Sequence, residues 1–400
     1  MSDPGTAWVD APSLVTVSPT AAGHHCLSMS AYLSAGRCAE PSDATGSADV
    51  FVELLRMSPA GTMFDIRVDD FAVTWSLNAL PDEGTAVLSL LTESLGKLLV
   101  FDPASASHAD QFLRARRCAL AKARARLRSR SWTVETVLRQ WTYHDDPYFS
   151  QPPARRVAGL ENLDPHTFAR FVTDVVSSGR LFLAVCGPQL PALAPLLTEL
   201  AAVWPGTVDR RPTGPTPADA YRARRFGDTS ASSTSYVGVS LPTVPRNDSR
   251  YRLAALCSAI LGAADGPLMR QLRHGHGCLY RVEARAVPRP GSGDLVVKAE
   301  VARDTAEICL DTMQEALHTL GQQTVDPAFL EAIKARMVIR IRHALSTNSG
   351  RAAETVSRHF YGLRPIDLES IERGVRDITV DELRDFVDRS TPFGPSSAII

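Results

Sequence analysis

The chain has 400 residues, 44% of them hydrophobic and 22% charged, with a formal net charge of −1 at neutral pH. At about 100–200 residues per domain this length predicts two or three domains, and the composition is that of a soluble globular chain with material for a core. The balanced charge excludes a global bias toward nucleic acid, and no stretch reaches the roughly 18 consecutive apolar residues that a membrane span needs.

Met1–Asp10 has neither a basic n-region nor a continuous apolar run, so no secretory signal and no Arg-rich transit peptide is predicted. The 7 cysteines are scattered and include no C-x-x-C, the usage of reduced thiols in a cytoplasmic protein, packed mostly as small hydrophobes. Cys26 to Leu33 alternates loosely and predicts a strand; residues 46–56 form an apolar helical run. Phe64, Ile66 and Val68, then Phe71, Val73, Trp75 and Leu77, predict two half-buried strands joined around Asp69-Asp70. Val87, Leu88, Leu91, Leu95, Leu98 and Leu99 predict a helix over 83–100 that covers this sheet. Helices follow over about 110–130 and 132–143, and a third opens at Asp164-Pro165, an N-cap with a first-turn proline. Leu181 to Val185 reads as a short buried strand.

Pro205 to Pro217, with Pro212, Gly214 and Pro215, is the best linker. It divides the chain into a first domain, 1–207, a Pro-rich linker, 208–220, and a second domain, 221–400. The second half repeats the first: Glu135-Thr-Val-Leu-Arg-Gln-Trp141 recurs as Glu354-Thr-Val-Ser-Arg-His-Phe360, at an offset of 219. The helix opening at Asp164 recurs at Thr379, offset 215, and Phe112-Leu113 recurs as Phe329-Leu330, offset 217. Three similar offsets in matching order argue for a duplicated module. Strands followed by helix pairs in each copy give an α+β class: two homologous domains, each an antiparallel β-sheet covered by helices.

Near the start of the second copy, Ile260 to Val282 runs from an apolar helix end through a Gly-rich break to a short amphipathic stretch ending in Arg273. A turn at Gly275 and Gly277 and a strand opening at Tyr280 follow. This order resembles the second-half signature of the pitrilysin and insulinase-type (M16) metallopeptidases, in the branch of the mitochondrial processing peptidases and two-subunit bacterial enzymes. The resemblance implies two homologous α+β domains forming half of a clamshell. It also implies that Arg273 and Tyr280 reach toward a zinc site in the opposing half, where a fixed cation and a phenolic O–H suit developing oxyanion charge. His274 and His276, an H-x-H inside the same turn, lack a third ligand and read as turn residues near substrate.

The same resemblance implies an inverted H-x-x-E-H zinc motif on an early helix, with a glutamate as third ligand some seventy residues later. None of the 10 histidines lies four residues from another. The matching register, Gly46 to Glu53, puts Asp49 and Glu53 at the histidine positions and Val52 at the position of the general base. Lys122 or a neighbour falls near the third ligand. Valine cannot take a proton from water, and a cation there repels zinc. A carboxylate-only site at Asp49 and Glu53 needs more ligands than the region supplies. The first domain therefore reads as the catalytic fold without its chemistry. The chain reads as the non-catalytic, Arg/Tyr-bearing subunit of a heterodimeric zinc metallopeptidase, inactive alone. It carries no cofactor itself, zinc being expected in a homologous H-x-x-E-H-bearing partner, and the substrates implied are extended peptides.

Residues 114–130 carry eight Arg and Lys residues. They read as the solvated face of a helix with Leu113, Leu120 and Leu127 buried, or as a stripe steering acidic peptides. Two rival functions are a structural scaffold of the kind this family lends to respiratory complexes and a basic-helix nucleic-acid binder. The second lacks interleaved aromatics and any known module.

Overall fold

The computed structural model describes residues 25–188, 190–204, 206, 225–227, 233–275, 279–322, 325–390 and 396–400. The first half runs β1 (Leu27–Leu33), α1 (Ser47–Met57), β2 (Asp65–Val68), β3 (Val73–Ala79), α2 (Gly84–Leu99), α3 (Ala106–Leu127), α4 (Arg130–Thr142), α5 (Ala154–Asn162), α6 (Pro165–Phe171), β4 (Leu181–Cys186) and α7 (Leu190–Val203). The second runs β5 (Arg225–Gly227), β6 (Thr234–Thr243), α8 (Tyr251–Leu261), α9 (Pro267–Arg270), β7 (Leu279–Pro288), β8 (Gly293–Ala302), α10 (Ala306–Gln322), α11 (Pro327–Leu345), α12 (Asn348–Phe360), α13 (Leu368–Arg376), α14 (Val380–Ser390) and β9 (Ser396–Ile399). The expected α+β class is the observed one. The duplication is visible element by element: α4 and α12 are both 13 residues long and are N-capped by the hydroxyls of Ser129 and Thr347. The expected linker, 208–220, lies outside the described residues.

The chain forms two compact units, and they are not contiguous in sequence. The first unit comprises 1–124, 154–212 and 342–366; the second comprises 125–153, 213–341 and 367–400. Against a division at 207 and 221, the two halves thus exchange a segment, each built around one helix. The first unit contains a four-stranded sheet in the order β2-β3-β1-β4, all antiparallel. One face, carrying Leu27, Met29, Ala31 and Leu33 of β1 with Val73, Trp75 and Leu77 of β3, joins the core formed with α1, α2 and α6. The other face carries small and aromatic residues, Ser28, Ser30 and Tyr32 on β1 and Phe182, Ala184 and Cys186 on β4, and α12 packs on it. Phe360 of α12 meets the rings of Tyr32 and Phe182 edge-on at 5.5 and 5.8 Å. Asn348 donates to the carbonyl of Cys26 at 2.7 Å. Covered on both faces, β1 is buried almost throughout.

The second unit holds a five-stranded sheet in the order β5-β9-β6-β8-β7, antiparallel except for the parallel pair of β5 and β9. Helices α8, α10 and α14 cover one face, with Leu330, Ile333, Met337 and Val338 of α11 joining the same core, and α4 covers the other, packing Val134, Val137 and Leu138 against Val296, Ala398 and Ile400. Gly238 of β6 makes this possible: a Cβ there would stand 2.5 Å from Val134 Cγ1. The hairpin between β7 and β8 is fixed by a buried polar cluster in which Tyr143 donates to Asp294, and Asp294 pairs with Arg289 at 2.6 Å. Among the described residues no helix is long and apolar enough to cross a membrane.

Candidate functional site

Helix α1 carries Asp49, Val52 and Glu53, the positions that the sequence register sets against zinc ligands and a general base, and its sequence explains its placement. Val50, Phe51, Leu54 and Leu55 face the core, and Val52 is buried with them. Asp49 and Glu53, four residues apart, share another face. Gly46 opens the helix at φ 101°, with its Cα against Leu160. The Glu40 carboxylate accepts from the N–H groups of Gly46 at 3.1 Å and Ala48 at 2.8 Å, satisfying donors that the first turn cannot pair itself.

Every carboxylate at the site is held by a cation of the chain. Lys122 of α3 reaches both oxygens of Glu53, at 2.7 and 2.8 Å, and Arg56 pairs with the same carboxylate at 2.5 Å. Asp49 is bound by Arg37 at 2.8 Å and by Arg156 of α5 at 2.5 Å, and Arg156 also bridges to Glu40 at 2.9 Å. The structure thus sets Lys122 against Glu53, with Asp49 one turn earlier on the same helix and paired separately. Arg37, Glu40 and Arg156 give no signal in the sequence, because they arrive from segments up to 116 residues apart. As a zinc site this donor set does not fit: carboxylates stand at the histidine positions, a buried valine at the base, an ammonium at the third ligand, and the carboxylate oxygens already accept charged hydrogen bonds. Among the described residues no group of three or more His, Cys, Asp or Glu could hold a metal ion.

In the second unit α9 continues directly into a π-helical turn, Gln271–Gly275. Leu268, Met269 and Leu272 are buried and anchor this segment, leaving Arg270, Gln271 and Arg273 exposed. A cleft of about 300 Å³ opens beside it, lined by Ile260, Leu261, Leu268, Arg270, Gln271 and Phe329 among others. Tyr280 is the second residue of β7, the edge strand of its sheet. The pairing with β8 slips there, Leu279 facing Val301 and Arg281 facing Glu300, so Tyr280 is the extra residue of a bulge. His274 lies in the π-helical turn, and His276 and Cys278 lie outside the described residues.

The basic helix corrects an expectation. Phe112, Ala115, Ala119 and Ala123 are the buried residues of α3, while Leu113, Leu120 and Leu127 are half-buried. Arg114 pairs with Asp110, Arg124 with Glu161, Lys122 with Glu53, and Arg116 and Arg130 donate to backbone carbonyls. Most of the stripe is therefore committed within the fold.

Residues 162–337 match the family model described as the peptidase M16 inactive domain. No curated protein matches the chain in sequence. Among solved structures, the peptidase M16 inactive domain from Pseudomonas fluorescens superposes with a TM-score of 0.83 at 16% identity, covering 99% of this chain and 97% of that one. A protease from Helicobacter pylori gives 0.80 at 12% identity over 98% of each chain. A chain of complex III2 from Candida albicans, solved with Inz-5 bound, gives 0.79 at 14% identity over 99% of this chain and 95% of that one. At these identities the likeness is one of fold, and it extends over nearly the whole chain.

Proposed function

We propose that this chain is the non-catalytic subunit of a heterodimeric M16-type zinc metallopeptidase acting in the cytoplasm. It pairs with a homologous subunit that bears the zinc motif, and it contributes Arg273 and Tyr280 to binding an extended peptide and to stabilising the oxyanion at the partner's zinc. The observation that carries this reading is the asymmetry between the two units: on α1 the ligand positions are taken up by Lys122, Arg56, Arg37 and Arg156, whereas Arg273 is exposed on its anchored turn. The adjacent cleft offers a place for a substrate side chain.

The test is peptidase activity of this chain alone, of a zinc-bearing homologue alone, and of the two mixed. Activity is expected only in the mixture, and Arg273→Ala or Tyr280→Phe is expected to lower kcat by about 10²-fold, the usual cost of one oxyanion donor, with zinc content unchanged. Hydrolysis by the isolated chain would overturn the proposal. A second reading, a scaffold subunit without a protease role, draws on the likeness in fold to a complex III2 chain; an inert mixture with a stable heterodimer is its signature. The commitment of the α3 cations to internal partners weighs against nucleic-acid binding.

A further inference from the structure

We infer that Asp49 and Glu53, the positions on α1 that the sequence register sets against zinc ligands, form an ionic tie that holds the first unit together without a metal, with the Glu53–Lys122 pair linking α1 to α3. The Glu53 side chain is only 7% exposed, and a carboxylate so placed is strongly disfavoured unless paired. Lys122 supplies the pair from α3, contacting both oxygens, and Arg56 adds a second contact while donating to the Ile66 carbonyl on β2. At Asp49, Arg37 comes from the turn after β1 and Arg156 from α5, and Arg156 also grips the Glu40 carboxylate that caps α1. The turn after β1, β2, α3 and α5 are thereby fastened to α1 at two points one helical turn apart. The three carboxylates Glu40, Asp49 and Glu53 are each paired with a cation, Arg37, Arg56, Lys122 or Arg156, so none of them is left as a ready ligand for a divalent ion. A metal would have tied α1 to α3 by coordinate bonds; here the Glu53–Lys122 pair makes that link. The inference rests on distances within the first unit and stands or falls apart from the complementing-subunit reading.

The experiment is urea unfolding of the full chain for Lys122→Met, Glu53→Gln and the double variant, with the unaltered protein also titrated with zinc and with a chelator. Each single change is expected to raise the unfolding constant, and the double variant to depart from the product of the two by about fivefold or more. Zinc and chelator are expected to leave the midpoint in place. Independent effects of the two substitutions, or a midpoint that rises with zinc, would overturn the tie. Should Lys122→Met not fold, Lys122→Arg decides: a midpoint near that of the unaltered chain supports the tie, and loss of folding despite the retained charge refutes it.

Discussion

The Tyr143 phenol sits inside the second unit with its O–H directed at Asp294 and the Arg289 guanidinium over its ring at 5.3 Å. Burial, then the neighbouring Asp294 charge, pushes its pKa well above the ordinary value. A group raised in the folded state contributes stability below its unfolded pKa, near 10 for tyrosine, and the contribution is lost as pH rises beyond that. Urea midpoints are therefore expected to hold steady to about pH 9 and to fall through pH 10 and 11. Tyr143→Phe should flatten that alkaline limb while lowering stability at neutral pH by about 2 kcal/mol, the worth of a hydrogen bond to a charged group. Burial likewise pushes the Cys257 thiol up to about 12. Alkylation of the folded chain at pH 8, followed by peptide mass mapping, should label the exposed Cys26 and Cys118 and spare Cys257 until urea is added. Neither Tyr143–Asp294 nor Arg156–Asp49 was legible in the sequence, because residues 151 and 107 positions apart leave no spacing to read. The helix that carries Asp49, Val52 and Glu53 was legible, since its apolar period marks its register.

At the scale of elements, sequence pattern served where burial follows a period. The residues predicted for β1, α1, β3, α2, α4 and the Asp164-capped α6 lie within a residue or two of where the structure has them. It failed on α5, whose Ala154-Arg-Arg-Val-Ala-Gly start offers one strong apolar position, and on the buried stripe of α3. There the sevenfold leucines suggest a seam, yet a helix of 3.6 residues per turn drifts off that repeat, and small alanines allow closer approach to the core. No pattern tells which sheet a helix covers, so the exchange of α4 and α12 had no signature. The contact of α4 with its sheet depends on Gly238, where Val134 and Leu138 stand within 3.0 Å of an added Cβ. Gly238→Val is expected to cost about 1–3 kcal/mol by overpacking and to lower the calorimetric Tm, with helix content by circular dichroism nearly unchanged.

At the scale of the whole molecule, duplication was visible in three offsets, and the structure adds that neither copy is self-sufficient. Residues 1–207 expressed alone lack α12, which leaves the Tyr32 and Phe182 face of the first sheet open to water. That fragment is expected to bind a hydrophobic dye and to melt below the intact chain; fusing residues 342–366 to its end should suppress dye binding, and failure of the fusion to do so would contradict the packing described. The borrowed helix also sets a clock for the growing chain. β4 is finished at Cys186, but α12 is complete only at Phe360. At about 5–20 residues per second, translation takes roughly 9–35 s to cover that distance. For that interval, on every round of synthesis, the sheet waits on the ribosome with one face bare, a standing invitation to chaperones and the period in which a stalled or truncated message does most harm.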